Sequence, residues 1–347
     1  MQPYNGGNDP QRGGVYSTGH GFYNPYAEPE WKREKKRIRA AGNGIGLASV
    51  GYVAISFGAV LFLYAAIGVV NALRGGNFME VGENAQWVVT LITYILSLVV
   101  PFGIYALCIQ MPIGAAFPFR KMRGDITVGG IFVGLGAGIV ASYATSYLEQ
   151  ALGLFGIGIS MPELEIPTAL SAKIIYIITM TVAPAFIEEM VFRGIVMQSL
   201  RRFGDMFALV SSAIIFGIFH LNLIQTPYAF ILGLCIGYFV MRTGSLWVGV
   251  IMHFLNNSIA TVLTLAEPYC SEEMFLFINL AYSLAAVMCG IIALCLLLVK
   301  YRDMFRFGDA PGVLSSGKRA AYFLTSPALI IAMLTAVVLT AQYIEIL

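Results

Sequence analysis

Charge is scarce in this chain. Only 12% of its 347 residues are Asp, Glu, Lys or Arg, while 58% are hydrophobic. Soluble domains carry about 25% charged residues, so this is not the composition of one. Alternation is lacking too. The apolar runs are continuous, unlike the roughly ten-residue alternating segments of an outer-membrane barrel. The chain therefore reads as an all-α, polytopic helical membrane protein. No apolar h-region lies in the first 43 residues, so no signal peptide is expected. The five cysteines (Cys108, Cys235, Cys270, Cys289, Cys295) show no CxxC or CxxH spacing. That argues against a metal or disulfide framework and leaves them as buried small hydrophobes. The net charge of +2 decides nothing by itself.

Several catalytic signatures are missing as well. There is no HExxH, which argues against a zincin-like metalloprotease. No Asp falls within an expected span, so an aspartyl dyad has no members. There is no GxSxG nucleophile elbow. The basic segment Trp-Lys-Arg-Glu-Lys-Lys-Arg-Ile-Arg at 31–39 has no aromatic interleaving or nucleic-acid motif beside it. It reads as a cytoplasmic anchor against anionic lipid head groups, with no nucleic-acid partner.

What is present is a series of long uncharged intervals. They predict nine spans near 46–72, 87–109, 126–147, 171–199, 207–223, 227–241, 246–265, 275–299 and 322–343. The fifth and sixth share one interval, broken at Asn222 and Thr226-Pro227. At 1.5 Å per residue each is about 25 Å long, against a bilayer core of about 30 Å. Two short spans or a partly re-entrant pair both fit. Basic residues alternate with this topology. Arg120, Lys121 and Arg123, Arg201 and Arg202, Arg242, and Lys300, Arg302 and Arg306 follow the even spans. Glu80 and Glu83, Glu163 and Glu165, and Glu267, Glu272 and Glu273 occupy the opposite loops. The positive-inside rule then places the N-terminus in the cytoplasm and the C-terminus outside. The expected setting is the plasma membrane of a prokaryote. Four regions follow: a disordered and basic tail (1–43, its first 30 residues Gly/Asn/Pro/Tyr-rich), N-terminal spans (44–165), a polar-bearing core (166–266) and C-terminal spans (267–347).

Polar chemistry enters the membrane only within residues 188–257. Of 19 acidic residues, Glu188 and Glu189 alone sit deep in an apolar run; of three histidines, His20 lies in the tail and His220 and His253 in spans. A charged group at that depth costs about 2.5–3.5 kcal/mol on insertion scales, which makes function the default reading. Glu189 and Arg193 are four apart and share a helix face, so they can pair. Glu188 is turned about 100° away and is left for chemistry as a general base. Phe216 and His220 share a face, and Gly217 lets a neighbouring helix approach. His253 and Asn257 are again four apart, offering two donors aimed together. The resulting reading is water activated by Glu188 and His220, with His253 and Asn257 as an oxyanion site. Glu189, Arg193 and Phe216 support them.

Glu-Glu-Met-Val-Phe-Arg (188–193), Phe-x-x-x-His (216–220) and His-x-x-x-Asn (253–257), in that order on successive spans, resemble the CPBP family. This is the CAAX protease and bacteriocin-processing, or Abi, family, which includes the Rce1-type endopeptidases. The resemblance covers about residues 170–265. It implies a CPBP-type helical core at 166–266 and hydrolysis of a peptide bond in a membrane-associated or lipidated peptide or protein. It also implies that Glu188 and His220 activate water and that His253 and Asn257 form the oxyanion hole. No cofactor is required, although Glu and His are ordinary zinc ligands and a divalent metal is an open alternative. Expected partners are membrane lipids and a peptide or membrane-anchored protein substrate. Competing readings are a non-catalytic immunity or scaffold protein that keeps the motif for packing, and a transporter using Glu188 as a proton relay. No matching pair of interrupted helices supports the latter.

Overall fold

The computed structural model describes residues 28–77, 80–160, 165–307 and 312–347. The expected disorder of the tail, His20 and Glu163 lie outside these residues. Ten helices carry the fold: α1 (Glu30–Leu73), α2 (Glu83–Cys108), α3 (Gly124–Gly153), α4 (Leu170–Phe203), α5 (Asp205–Ile218), α6 (Gln225–Thr243), α7 (Leu246–Ala266), α8 (Glu272–Lys300), α9 (Ser316–Leu324) and α10 (Pro327–Ala341). Two three-residue strands, β1 (Ile157–Ile159) and β2 (Ile344–Ile346), pair antiparallel.

The nine expected spans resolve differently. Among the described residues, α1–α4 and α6–α8 are each long and apolar enough to cross a membrane, which makes seven. The bent pair α9–α10 makes an eighth if it is one span; its axes turn by 68°. Pro327 explains the turn. The residue before a proline is pushed out of the helical region, and proline itself suits a helix start; Ser326 has ψ 128°. The fifth expected span, α5, has 14 residues, about 21 Å, and is too short to cross alone. It leads through a tight turn into α6. Leu221 takes a left-handed conformation there (φ 50°). Asn222 Oδ1 accepts from the N–H groups of Ile224 and Gln225 at 2.9 and 3.2 Å.

The outward faces are apolar. Leu61 is 72% exposed, Phe277 71% and Val299 79%, a surface that needs lipid rather than water. Cys289 and Cys295 lie on such a face of α8, so the expected burial of the cysteines in protein does not hold there; all five are free thiols. The core gathers where α4, α5 and α6 meet α1 and α2, around Phe102, Phe192, Met197, Phe216 and Phe239.

The basic loops collect on one face. Lys300 Nζ contacts Asp125 at 2.7 Å, Arg123 donates to Tyr301 at 3.1 Å, and the Ser245 hydroxyl donates to the Arg120 carbonyl at 2.7 Å. On the other face Glu83 caps the segment before α4 through Thr168 and Ala169, and β1 pairs with β2. The basic segment at 31–39 is helical and continuous with the first span, so residues 30–43 of the expected tail belong to α1. One of its charged residues is buried. Glu34 accepts from Arg319 Nε at 2.7 Å and from the N–H groups of Val313 and Leu314 at 2.8 and 3.0 Å, while Arg319 also donates to the Phe203 carbonyl at 2.9 Å. Arg319→Ala is expected to destabilise the protein by about 1.5–3 kcal/mol, the range for hydrogen bonds to charged groups. Thermal unfolding in detergent checks this; an unchanged midpoint would mean that the junction of α1, α4 and α9 does not depend on it.

Candidate active site

Helix α4 is not a regular α-helix. Two π-helical stretches, Ile178–Val182 and Glu189–Val196, flank Pro184. Such wide turns are frequent at functional sites because they loosen the backbone ladder. Neighbours then fill the loosened bonds, since buried carbonyls need donors. The Ser212 hydroxyl donates to the Phe192 carbonyl at 2.7 Å and Gln198 Nε2 to the Arg193 carbonyl at 3.1 Å. Met180 shows the same logic. Pro184, four residues on, has no N–H to give it, and Asn257 Nδ2 donates to the Met180 carbonyl instead, at 3.2 Å.

The two carboxylates take different surroundings. Glu189 and Arg193 are buried, 0% and 1% exposed, and pair at 2.7 Å. The i, i+4 spacing therefore does bring them together. The guanidinium also lies 4.2 Å from the centre of the Phe216 ring, a cation–π contact. It reaches the Gly233 carbonyl at 3.4 Å. Glu189 has a second partner that helical phase alone does not show. His253 Nδ1 lies 2.9 Å from the same Oε1. A carboxylate only accepts, so Nδ1 bears a proton, and Nε2 turns toward Glu188 Oε2, 3.7 Å away. Glu188 Oε2 is buried and has no hydrogen-bond partner among the described residues; Oε1 accepts from the Tyr94 hydroxyl at 2.6 Å.

Helix α7 meets α4 along one stripe. A Cβ on Gly249 would sit 2.7 Å from Glu189 Oε2, so only glycine leaves room for the carboxylate. One turn on is His253, and one turn further Asn257. They share one face, as their spacing predicts, and that face meets α4. Asn256 fixes the neighbouring amide: its Nδ2 donates to Asn257 Oδ1 at 3.3 Å, and its own Oδ1 accepts from the Tyr228 hydroxyl at 2.9 Å. Among the described residues this leaves one Asn257 N–H uncommitted.

His220 lies just past the end of α5. Its Nδ1 donates to the Phe216 carbonyl at 3.0 Å, so Nε2 is free to accept. Phe216 is the common wall, edge-on to His220 (5.0 Å between centroids) and to His253 (6.0 Å). A Cβ on Gly217 would meet the Thr226 carbonyl at 2.8 Å, so this glycine does admit a close neighbour, the start of α6. His220 is within electrostatic range of Glu188, His253 and Arg193. Among the described residues, no three His, Cys, Asp or Glu side chains are grouped as ligands of one ion. Sequence reasoning misses Tyr94, Met180 and Gly249. Tyr94 alone left a signal: Thr90, Thr93, Tyr94 and Ser97 form a polar stripe on a largely apolar span.

Fold and site together define a polytopic helical membrane protein with a buried carboxylate–imidazole centre. Residues 170–259 match the family described as Type II CAAX prenyl endopeptidase Rce1-like, and they contain all three motifs. It is this segment, and not the whole chain, that is similar to the Rce1-like family. The match stops short of α1–α3 and α8–α10. No curated protein and no solved structure matches the chain.

Proposed function

We propose that the protein is an intramembrane endopeptidase that hydrolyses a peptide bond in a membrane-associated or lipidated peptide or protein. One observation carries this reading: Glu188 Oε2 is buried, unpaired and directed at an imidazole in a segment that matches an endopeptidase family. An unpaired buried carboxylate oxygen is costly, and a reacting water is the partner that suits it.

The chemistry follows from the donors and acceptors. Glu188 Oε2 takes a proton from water while His220 Nε2 accepts the second O–H and orients it. The water oxygen bonds to the substrate carbonyl carbon. Charge develops on the carbonyl oxygen, where His253, carrying a proton on Nε2 as well as on Nδ1, and the uncommitted N–H of Asn257 donate to it. The C–N bond then breaks, and Glu188 returns its proton to the leaving amine. Glu189 aims His253 throughout, and Arg193 and Phe216 hold Glu189 and the rings. The charge pattern of the loops supports a cytoplasmic N-terminus and an outside C-terminus.

The test is purified protein in liposomes with a library of plain and lipidated peptides. Wild type is expected to cleave a subset, and His220→Ala to do so at least about 100-fold more slowly, the lower end of a general acid–base contribution. Equal rates would overturn the reading. A wild type that binds but never cleaves would favour the scaffold or immunity alternative, which the closed Glu189–Arg193–His253 network is able to serve by packing alone.

A further inference from the structure

We propose that Tyr94 of α2, outside the segment that matches the family, is a positioning residue for the candidate base Glu188. The inference rests on the reading of Glu188 given above and extends the site to a helix no motif covers.

The contact is short and directional. The phenol donates to Glu188 Oε1 at 2.6 Å, within the range of charge-assisted O–H···O⁻ bonds. A glutamate side chain has several rotatable bonds, and the free carboxylate would swing between its two oxygens. With Oε1 held, Oε2 alone remains to face His253 Nε2. Tyr94 thus decides which oxygen is basic toward the water and where its lone pairs point.

The position of the hydroxyl is itself imposed. α2 and α4 run side by side in the same direction, and contacts at both ends fix their register. Glu83 binds Thr168, Trp87 packs edge-on against Tyr176 with centroids 4.8 Å apart, and the Tyr105 hydroxyl meets Ser199 Oγ at 3.2 Å. Tyr94 falls between these clamps, level with Glu188. On its other side, Tyr52 of α1 packs on Phe219 with centroids 4.6 Å apart and lies within electrostatic range of both Glu188 and Tyr94. The N-terminal pair of helices therefore closes the wall of the site that the family segment leaves open.

The experiment compares wild type, Tyr94→Phe and Glu188→Gln in liposomes on one cleaved peptide, with kcat, KM and the thermal unfolding midpoint measured for each. Phe keeps the ring and removes only the donor. Tyr94→Phe is expected to lower kcat about 10- to 100-fold, the rate equivalent of one hydrogen bond to a charged group. KM and the midpoint should stay at wild-type values. Wild-type kcat in Tyr94→Phe overturns the proposal. So does a parallel fall of kcat, binding and midpoint, or a variant that does not fold, since each makes Tyr94 a structural anchor. If Glu188→Gln turns over like wild type, the reading of Glu188 as base fails instead. If Glu188→Gln is inactive and Tyr94→Phe is not slowed, only the positioning role fails.

Discussion

Replacing Glu188 by glutamine is expected to lower kcat by about 10²–10⁴-fold, the contribution of a positioned general base, and to leave folding intact. The physical case turns on what the amide keeps. Glutamine has nearly the same volume, so the packing around α4 is unchanged. Its carbonyl oxygen can still accept from Tyr94, which now makes a 2.6 Å bond to Oε1. Its NH₂ group replaces an oxygen that has no hydrogen-bond partner among the described residues. What is lost is basicity. Single-turnover cleavage in liposomes gives the rate, and unfolding in detergent gives the stability. A Glu188→Gln protein that cleaves at the wild-type rate would show that another group activates the water.

Glu189→Gln should behave in the opposite order, with stability failing first. Glu189 and Arg193 are fully enclosed, so the small value of an exposed ion pair, about 0–1 kcal/mol, does not apply. Breaking a buried pair by neutralising one partner costs about 3–5 kcal/mol because the other charge is stranded. Native stability is only about 5–15 kcal/mol for typical soluble domains, so the loss is a large fraction. Phe216 and the Gly233 carbonyl at 3.4 Å cannot compensate a stranded guanidinium. The same substitution weakens the hold on His253 Nδ1, so the fraction that folds should also be slow. The readout is a lowered unfolding midpoint for Glu189→Gln beside an unchanged one for Glu188→Gln. Equal midpoints would mean that the two carboxylates are not divided between frame and chemistry.

That division was half legible in the sequence. The Glu189–Arg193 contact could be read because it joins residues four apart on one helix, and helical geometry alone brings them together. The stripe of His253 and Asn257 could be read for the same reason. The contact between His253 and Glu189 could not, because 64 residues separate them and nothing local says which face of α7 meets α4. Gly249 shows how the choice is made: only a residue without a side chain lets α7 approach where Glu189 sits. Tyr94 is further still from Glu188, 94 residues away on a helix without a motif.

The spans divide similarly. A run of about 20 apolar residues is a local quantity, and seven helices follow from it directly. The count of nine was approximate, because whether α5 crosses or turns back depends on the Leu221–Asn222 turn. The path of α9–α10 depends on one proline. Membrane character, the alternation of loop charge and the three motifs are therefore properties of composition and helical period, readable residue by residue. The π-turns of α4, the Met180 carbonyl offered to Asn257, the aim of His253 and the phenol on Glu188 belong to packing. Each needs two distant segments at a separation of a few ångströms, and only the assembled bundle sets that distance.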